Sequence, residues 1–165
     1  MSTALHQSYA CPADVATAFA AISGAGWAHR KAEVLADGSQ VVHHQDRPDG
    51  GVLLVVSREL PAGVPGFLER LLPRDGRAVQ TDDWGPERPD GSRHGTWRAD
   101  IPGAPAEVSG SMRLEPAGSG CTYVIEGTVS VKVPLIGGRA EKFIRDMIGR
   151  LTAKEADVLR GMVSG

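Results

Sequence analysis

The stretch VSVKVPLIGGRAEKFIRDMIGRLTAKEADVL, residues 129–159, changes its period in the middle. Up to Val133 apolar and polar residues alternate, the repeat of a half-buried strand. Further on, Phe143, Ile144, Met147, Ile148 and Leu151 recur every three or four positions, and Val158, Leu159 and Met162 continue the stripe. Arg145, Asp146, Arg150, Lys154 and Asp157 fall mainly on the opposite side. The spacing predicts a helix over residues 139–163, about 37 Å long at 1.5 Å per residue. Pro134 cannot donate to a strand ladder, so pairing is expected to stop there. Gly137 and Gly138 read as a hinge that swings the chain back onto the sheet. Neither phosphate-loop pattern, G-x-x-x-x-G-K-[ST] or G-x-G-x-x-G, is present to make them a phosphate cradle. A helix this long needs a wide apolar surface, and the apolar face of a sheet is the only candidate.

The sheet announces itself upstream. ADGSQ (36–40), RPDGG (47–51), RDGR (74–77), RPDGS (88–92) and AGSG (117–120) punctuate the middle of a chain that has no asparagine. Asp-Gly supplies the backbone angles that tight hairpins need. Between the turns lie strand-like runs at 41–45, 52–60, 77–84, 93–101, 107–114 and 121–133, an antiparallel meander. In the last of them Tyr123, Ile125, Val129, Val131 and Val133 share one face with Gly127, which suggests a bend or a close approach there. Glu126, Thr128, Ser130 and Lys132 point the other way, beside Val124. Near the start, CPADVATAFAAI reads as a helix with Pro12 in its first turn, Asp14 at its positive end, and Val15, Phe19 and Ile22 on one stripe.

The bulk composition agrees with a single folded domain over residues 1–165. Apolar residues make up 41% and charged residues 23%, enough to bury a core. The net charge of −2 gives no electrostatic case for nucleic acid. No apolar run reaches the roughly 20 residues of a transmembrane span, and the first residues lack the pattern of a signal peptide. A cytoplasmic protein is expected. Its two cysteines, Cys11 and Cys121, have no metal-ligand spacing and are expected to be free thiols.

A first strand, a short helical segment, a run of antiparallel strands and a long last helix together resemble the START/polyketide-cyclase (SRPBCC) superfamily. The residues that carry the likeness are HQSYACPADVATAFAAI, RHGTWRADIPGAPAEVSGSMRLEP and YVIEGTVSVKVPLIGGRAEKFI. They resemble in particular a bacterial branch known only as a domain of unknown function. The resemblance implies an α+β helix-grip fold, a curved seven-stranded antiparallel sheet around the C-terminal helix. Members of the superfamily commonly keep a cavity there for lipids, sterols or polyketides. Some are cyclases or aromatases and others only bind or carry. No catalytic residue carries over, because no single motif spans the superfamily. The fold also implies that the first strand pairs antiparallel with the last, which would make Cys11 and Cys121 neighbours, unbonded in a reducing cell.

The expected function is therefore binding or carriage of a small hydrophobic or amphipathic molecule between sheet and last helix, without cofactor or metal. The expected wall is Trp97, Met112, Tyr123, Ile125, Phe143, Met147 and Leu151, with Trp97 pointing inward. A cyclase or aromatase would instead draw an acid or base from Asp82, His94 or Tyr123, and an interaction module would have a filled core. Asp82 and Asp83 are read as cross-strand partners of Arg98 or His94 on the wet face, the alternative being a polar anchor inside the pocket. His43, His44 and Asp46 offer too few ligands for zinc and read as a solvent-facing strand end. No G-x-S-x-G elbow is present, and neither cysteine has an evident base. LPAGVPGFLERLLPRDG (60–76) reads as a short helix plugging the core. Its alternative is a mobile lid whose Val64, Phe67 and Leu68 make transient contact with a membrane or protein.

Overall fold

A computed structural model describes residues 2–61, 63–73 and 76–164. Seven strands form one sheet: β1 (Thr3–Cys11), β2 (Gln40–Asp46), β3 (Val52–Glu59), β4 (Arg77–Trp84), β5 (Arg93–Asp100), β6 (Ala106–Ala117) and β7 (Gly120–Val131). Their order is β1-β7-β6-β5-β4-β3-β2, and every neighbouring pair is antiparallel. The fold is α+β, with the sheet curved around a long C-terminal helix, the helix-grip arrangement. Turn glycines Gly50 and Gly91 take positive φ, 92° and 84°. In the 74–77 turn, Arg74 and Asp75 lie outside the described residues.

The strands β1 and β2 are the two edges of the sheet, so the chain must cross its whole width between them. It does so through α1 (Val15–Ser23) and α2 (Gly26–Leu35). Asp14 is the N-cap of α1, accepting from the Thr17 amide at 2.8 Å, which leaves Pro12 before the cap rather than in the first turn. Val15, Phe19 and Ile22 are buried as a stripe. The periodicity did not reveal α2. Its sequence GWAHRKAEVL buries only Trp27, Ala28 and Lys31, too short a stripe to stand out.

The last helix, α4, spans Gly137–Val163. It begins two residues earlier than the spacing predicts, because Gly137 and Gly138 form its first turn and are not the hinge. The reversal falls on Pro134, Leu135 and Ile136. Leu135 adopts φ 72° and is fully exposed, a costly conformation for a side chain with a Cβ. Gly137 serves a close approach: a Cβ there would stand 2.6 Å from the Val131 carbonyl oxygen. Glu141 is buried and accepts from the Val131 amide and the Thr3 hydroxyl, each at 3.0 Å. It ties the first turns of α4 to the two strands beneath.

Helix α4 packs on β1 and β7 and meets α1 and α2. Its fully buried face is Ala140, Ile148, Thr152, Ala156, Val158 and Leu159, with Phe143 and Met147 half-buried. Short α3 (Gly66–Glu69) lies in the 60–73 segment. Leu68 is only 4% exposed, Val64 and Phe67 pack against the core, and Arg139 caps the Phe67 ring at 4.1 Å. Of the three residues offered as a membrane or partner contact, Leu68 is buried, while Val64 and Phe67 stay half-buried against the core. No helix among the described residues is long and apolar enough to cross a membrane.

Candidate functional site

Inward-facing rows of side chains build the site. On β3 the row is Val52, Leu54, Val56 and Arg58, so an arginine ends an otherwise apolar series. On β4 it is Ala78, Gln80, Asp82 and Trp84. The register sets Val56 opposite Gln80, and Asp82 between Leu54 and Trp97. On β5 the row continues with Gly95, Trp97 and Ala99. The Trp97 indole N–H donates to the carbonyls of Ser111 and Glu126, both at 3.2 Å. Its ring lies against Gly127, where a Cβ would stand 2.7 Å from Trp97 Cζ2. Gly127 is thus the close approach that its place in the strand suggested.

From these rows Arg58, Gln80, Asp82, Trp97 and Ala99, with Met112 of β6, Tyr123 and Ile125 of β7 and Ile148, Leu151, Thr152 and Glu155 of α4, line a cavity of about 40 Å³. Trp27 closes its α2 side. Of the expected wall, Trp97, Met112, Tyr123, Ile125 and Leu151 meet here. Phe143 and Met147 do not. They line a second cavity, also about 40 Å³ and wholly apolar, with Val64 and Leu68. The cause is the length of α4: successive turns of one helix stand over different parts of the sheet. The interior is neither one open chamber nor packed solid.

The polar groups in and beside the first cavity fall into three sets. Arg58 Nη1 donates to Gln80 Oε1 at 2.8 Å, and Gln80 Nε2 donates to Asp82 Oδ1 at 2.9 Å. The hydroxyls of Tyr9 and Thr152 are 2.9 Å apart. Lys31 and Glu155 pair at 2.8 Å, and the Lys31 ammonium stands 5.3 Å from the Trp27 ring. Lys31 is 2% exposed, so this is an ion pair taken out of water. Its partners are 124 positions apart, beyond any sequence pattern.

Asp82 is 6% exposed. Burial raises its pKa from 3.8 to about 6, against the lowering effects of Gln80, Lys31 and Arg58 and with the repulsion of Glu155. Burial, and then the charge of Asp82, hold the Tyr123 phenol well above its usual range. Asp82 and Tyr123 are therefore a carboxyl poised near neutrality and a phenol that stays protonated, on one cavity wall. The wet-face reading of Asp82 is overturned: strand alternation puts it on the same side as Trp84 and Ala78. Asp83 is the one on the outer face, and its partner is Arg47, not Arg98 or His94. His94 lies on the outer side of β5, away from the cavity.

The other sequence candidates fall elsewhere. β2 is an exposed edge strand, with His44 3.8 Å from Asp46 and His43 3.3 Å from Gln45. Among the described residues no cluster of three or more potential metal ligands occurs. Cys11 and Cys121 face each other directly across β1 and β7, free and buried, as the strand order required. Burial, and then Cys11 beside it, push the Cys121 thiol up to about 12.

Known structures share this architecture. A Thermus thermophilus protein of known crystal structure superposes with a TM-score of 0.65 at 15% identity, over 98% of this chain and 97% of that one. A truncated norcoclaurine synthase from Thalictrum flavum gives 0.59 at 15% identity, over 99% and 94%. The Zhui aromatase/cyclase from a Streptomyces species gives 0.57 at 12%, over 99% and 92%. At such identities the likeness is one of fold. In sequence, an uncharacterized protein of Mycobacterium tuberculosis is 26% identical over 114 residues, 67% of this chain. The chain spans 65% of that relative's length. Residues 6–163 match the family model described as "Protein of unknown function (DUF2505)"; the chain belongs to this family, a branch with the helix-grip fold of the START/polyketide-cyclase superfamily.

Proposed function

We propose that the protein binds a small amphipathic molecule in the cavity between sheet and α4. Its apolar body would lie against Trp97, Met112 and Ile125, and a hydroxyl or carbonyl end would reach Asp82 and Tyr123. The observation that carries this reading is a carboxyl buried on a cavity wall with its pKa near 6. Burying such a group costs stability, and carboxyls perturbed by burial inside a cavity cluster at functional sites. The free volume of about 40 Å³ holds little more than one water, whereas ligand sites run to about 300–1,000 Å³. Binding therefore requires side chains of the wall to move apart. The free buried thiols support a reducing, cytoplasmic setting.

Native mass spectrometry of protein purified from its own host tests the proposal. A retained small molecule that is lost from the Tyr123→Phe and Asp82→Leu variants is expected. Retention unaffected by both variants would place the ligand elsewhere.

Asp82 also favours a second reading, acid–base catalysis on the bound molecule, since a pKa near the working pH suits proton transfer. With the retained molecule as substrate, Asp82→Asn would abolish turnover and leave binding. Unchanged turnover would exclude that role.

A further inference from the structure

Outside the cavity lies an open groove of about 550 Å³, between the end of α2, the end of β3 and α4. Its volume falls within the range of small-molecule sites; that of the inner cavity does not. Among the described residues, Arg58 and Leu151 alone border both spaces. The two spaces meet at these two side chains.

Arg58 stands where the sheet's inner face runs out into this groove. One of its N–H groups serves Gln80. Its planar fork carries five donors, so a pair remains for an acceptor on the groove side. Among the described residues, neither Arg58 nor Lys154, the two cations of the groove, forms an ion pair. The groove also has two acids. Asp37 accepts from the Ser39 amide at 2.9 Å, and alternation along β3 turns the Glu59 side chain to the face opposite Arg58. Arg58 is half-buried and reaches the Asp82 carboxyl only through Gln80, with no direct ion pair among the described residues, and its fork matches a planar oxyanion in charge and in geometry.

We propose that the groove is the vestibule of the site, that Leu151 gates it, and that Arg58 anchors a carboxylate or similar oxyanion at the outer end of the ligand. This rests on the ligand-binding reading of the inner cavity. It narrows the ligand class to amphipathic acids: an oxyanion at Arg58, an apolar middle passing Leu151, and a neutral polar end at Asp82 and Tyr123.

Two fluorescent probes that differ only in a sulfonate test it: 8-anilinonaphthalene-1-sulfonate and N-phenyl-1-naphthylamine. In the parent protein the ratio of their affinities reports the anion's contribution. In Arg58→Met, or Arg58→Gln if the first does not fold, that ratio should shift roughly tenfold against the sulfonate, the size of a charge-assisted hydrogen bond. The neutral probe should bind as before. A ratio unchanged by both substitutions overturns the anchor while leaving the cavity reading intact. Failure of both probes to bind the parent takes down the cavity reading, and this inference with it. For the gate, Leu151→Ala should raise the association rate measured by stopped flow, and an unchanged rate overturns the vestibule route.

Discussion

Asp82→Asn separates the cost of burying a charge from the hydrogen bond the side chain makes. In the unfolded chain the carboxyl titrates near 3.8, and in the cavity near 6. The folded value is the higher, so the folded state holds the proton more tightly. Below the unfolded value both states are protonated and no penalty exists. The penalty grows as pH rises between the two values and is complete above about 6. A shift of about two units corresponds to about 3 kcal/mol at 1.36 kcal/mol per unit. Asparagine is neutral throughout, and its Oδ1 can still accept from Gln80. The variant should therefore be more stable than the parent by about 3 kcal/mol at pH 8, and the difference should shrink to about 0.5 kcal/mol at pH 4. For a chain of this size each kcal/mol moves the melting midpoint by roughly 2–4 °C, so a rise of about 6–12 °C is expected at pH 8. Urea unfolding of both proteins at several values between pH 4 and 8 measures the difference directly. A difference that stays constant across that range, or a parent that is the more stable at pH 8, refutes the placement of a buried, charge-averse carboxyl at this position.

Three other outcomes follow from the packing. Lys31→Met leaves Glu155 without its partner and should cost about 3–5 kcal/mol, whereas the double change Lys31→Met with Glu155→Leu should recover most of that loss; equal losses in single and double variants would mean the pair is not coupled. Gly127→Ala puts a methyl into the Trp97 ring and should destabilise by about 1–3 kcal/mol, with a change in near-ultraviolet circular dichroism that an unperturbed tryptophan would not give. Cys11 and Cys121 should resist a thiol reagent in the native protein at pH 8, since burial holds the Cys121 thiol at about 12, and should react fully once unfolded; rapid native labelling would contradict the burial.

Local periodicity was enough to read the strands β2 to β7 and the last helix, while β1 came only with the family resemblance. A strand repeat and a helix repeat are properties of neighbouring residues, and the change between them at Pro134 is visible in any order of packing. The direct pairing of Cys11 with Cys121 was within reach once the strand order was assumed. The first turn of α4 was not, because Gly-Gly fits a hinge and a close helix–strand approach equally well until Val131 is seen beside it.

The site lay further from view. Asp82 and Asp83 are adjacent, and alternation guarantees only that one faces in. Which one does so is decided by register with Leu54 and Trp97 on other strands. Arg58 reads as an exposed arginine at a strand end until the inner row of β3 carries it to Gln80. Lys31 and Glu155 are brought together only by docking α2 on α4. Phe143 and Met147 share the helical stripe of Leu151, yet the helix is long enough to lie over two cavities, and the stripe does not say where one ends. The sequence by itself determined which faces are apolar, since that depends on neighbours along the chain. The tertiary structure alone decided which polar groups those faces enclose and how little space they leave, because both depend on side chains that meet from distant parts of it.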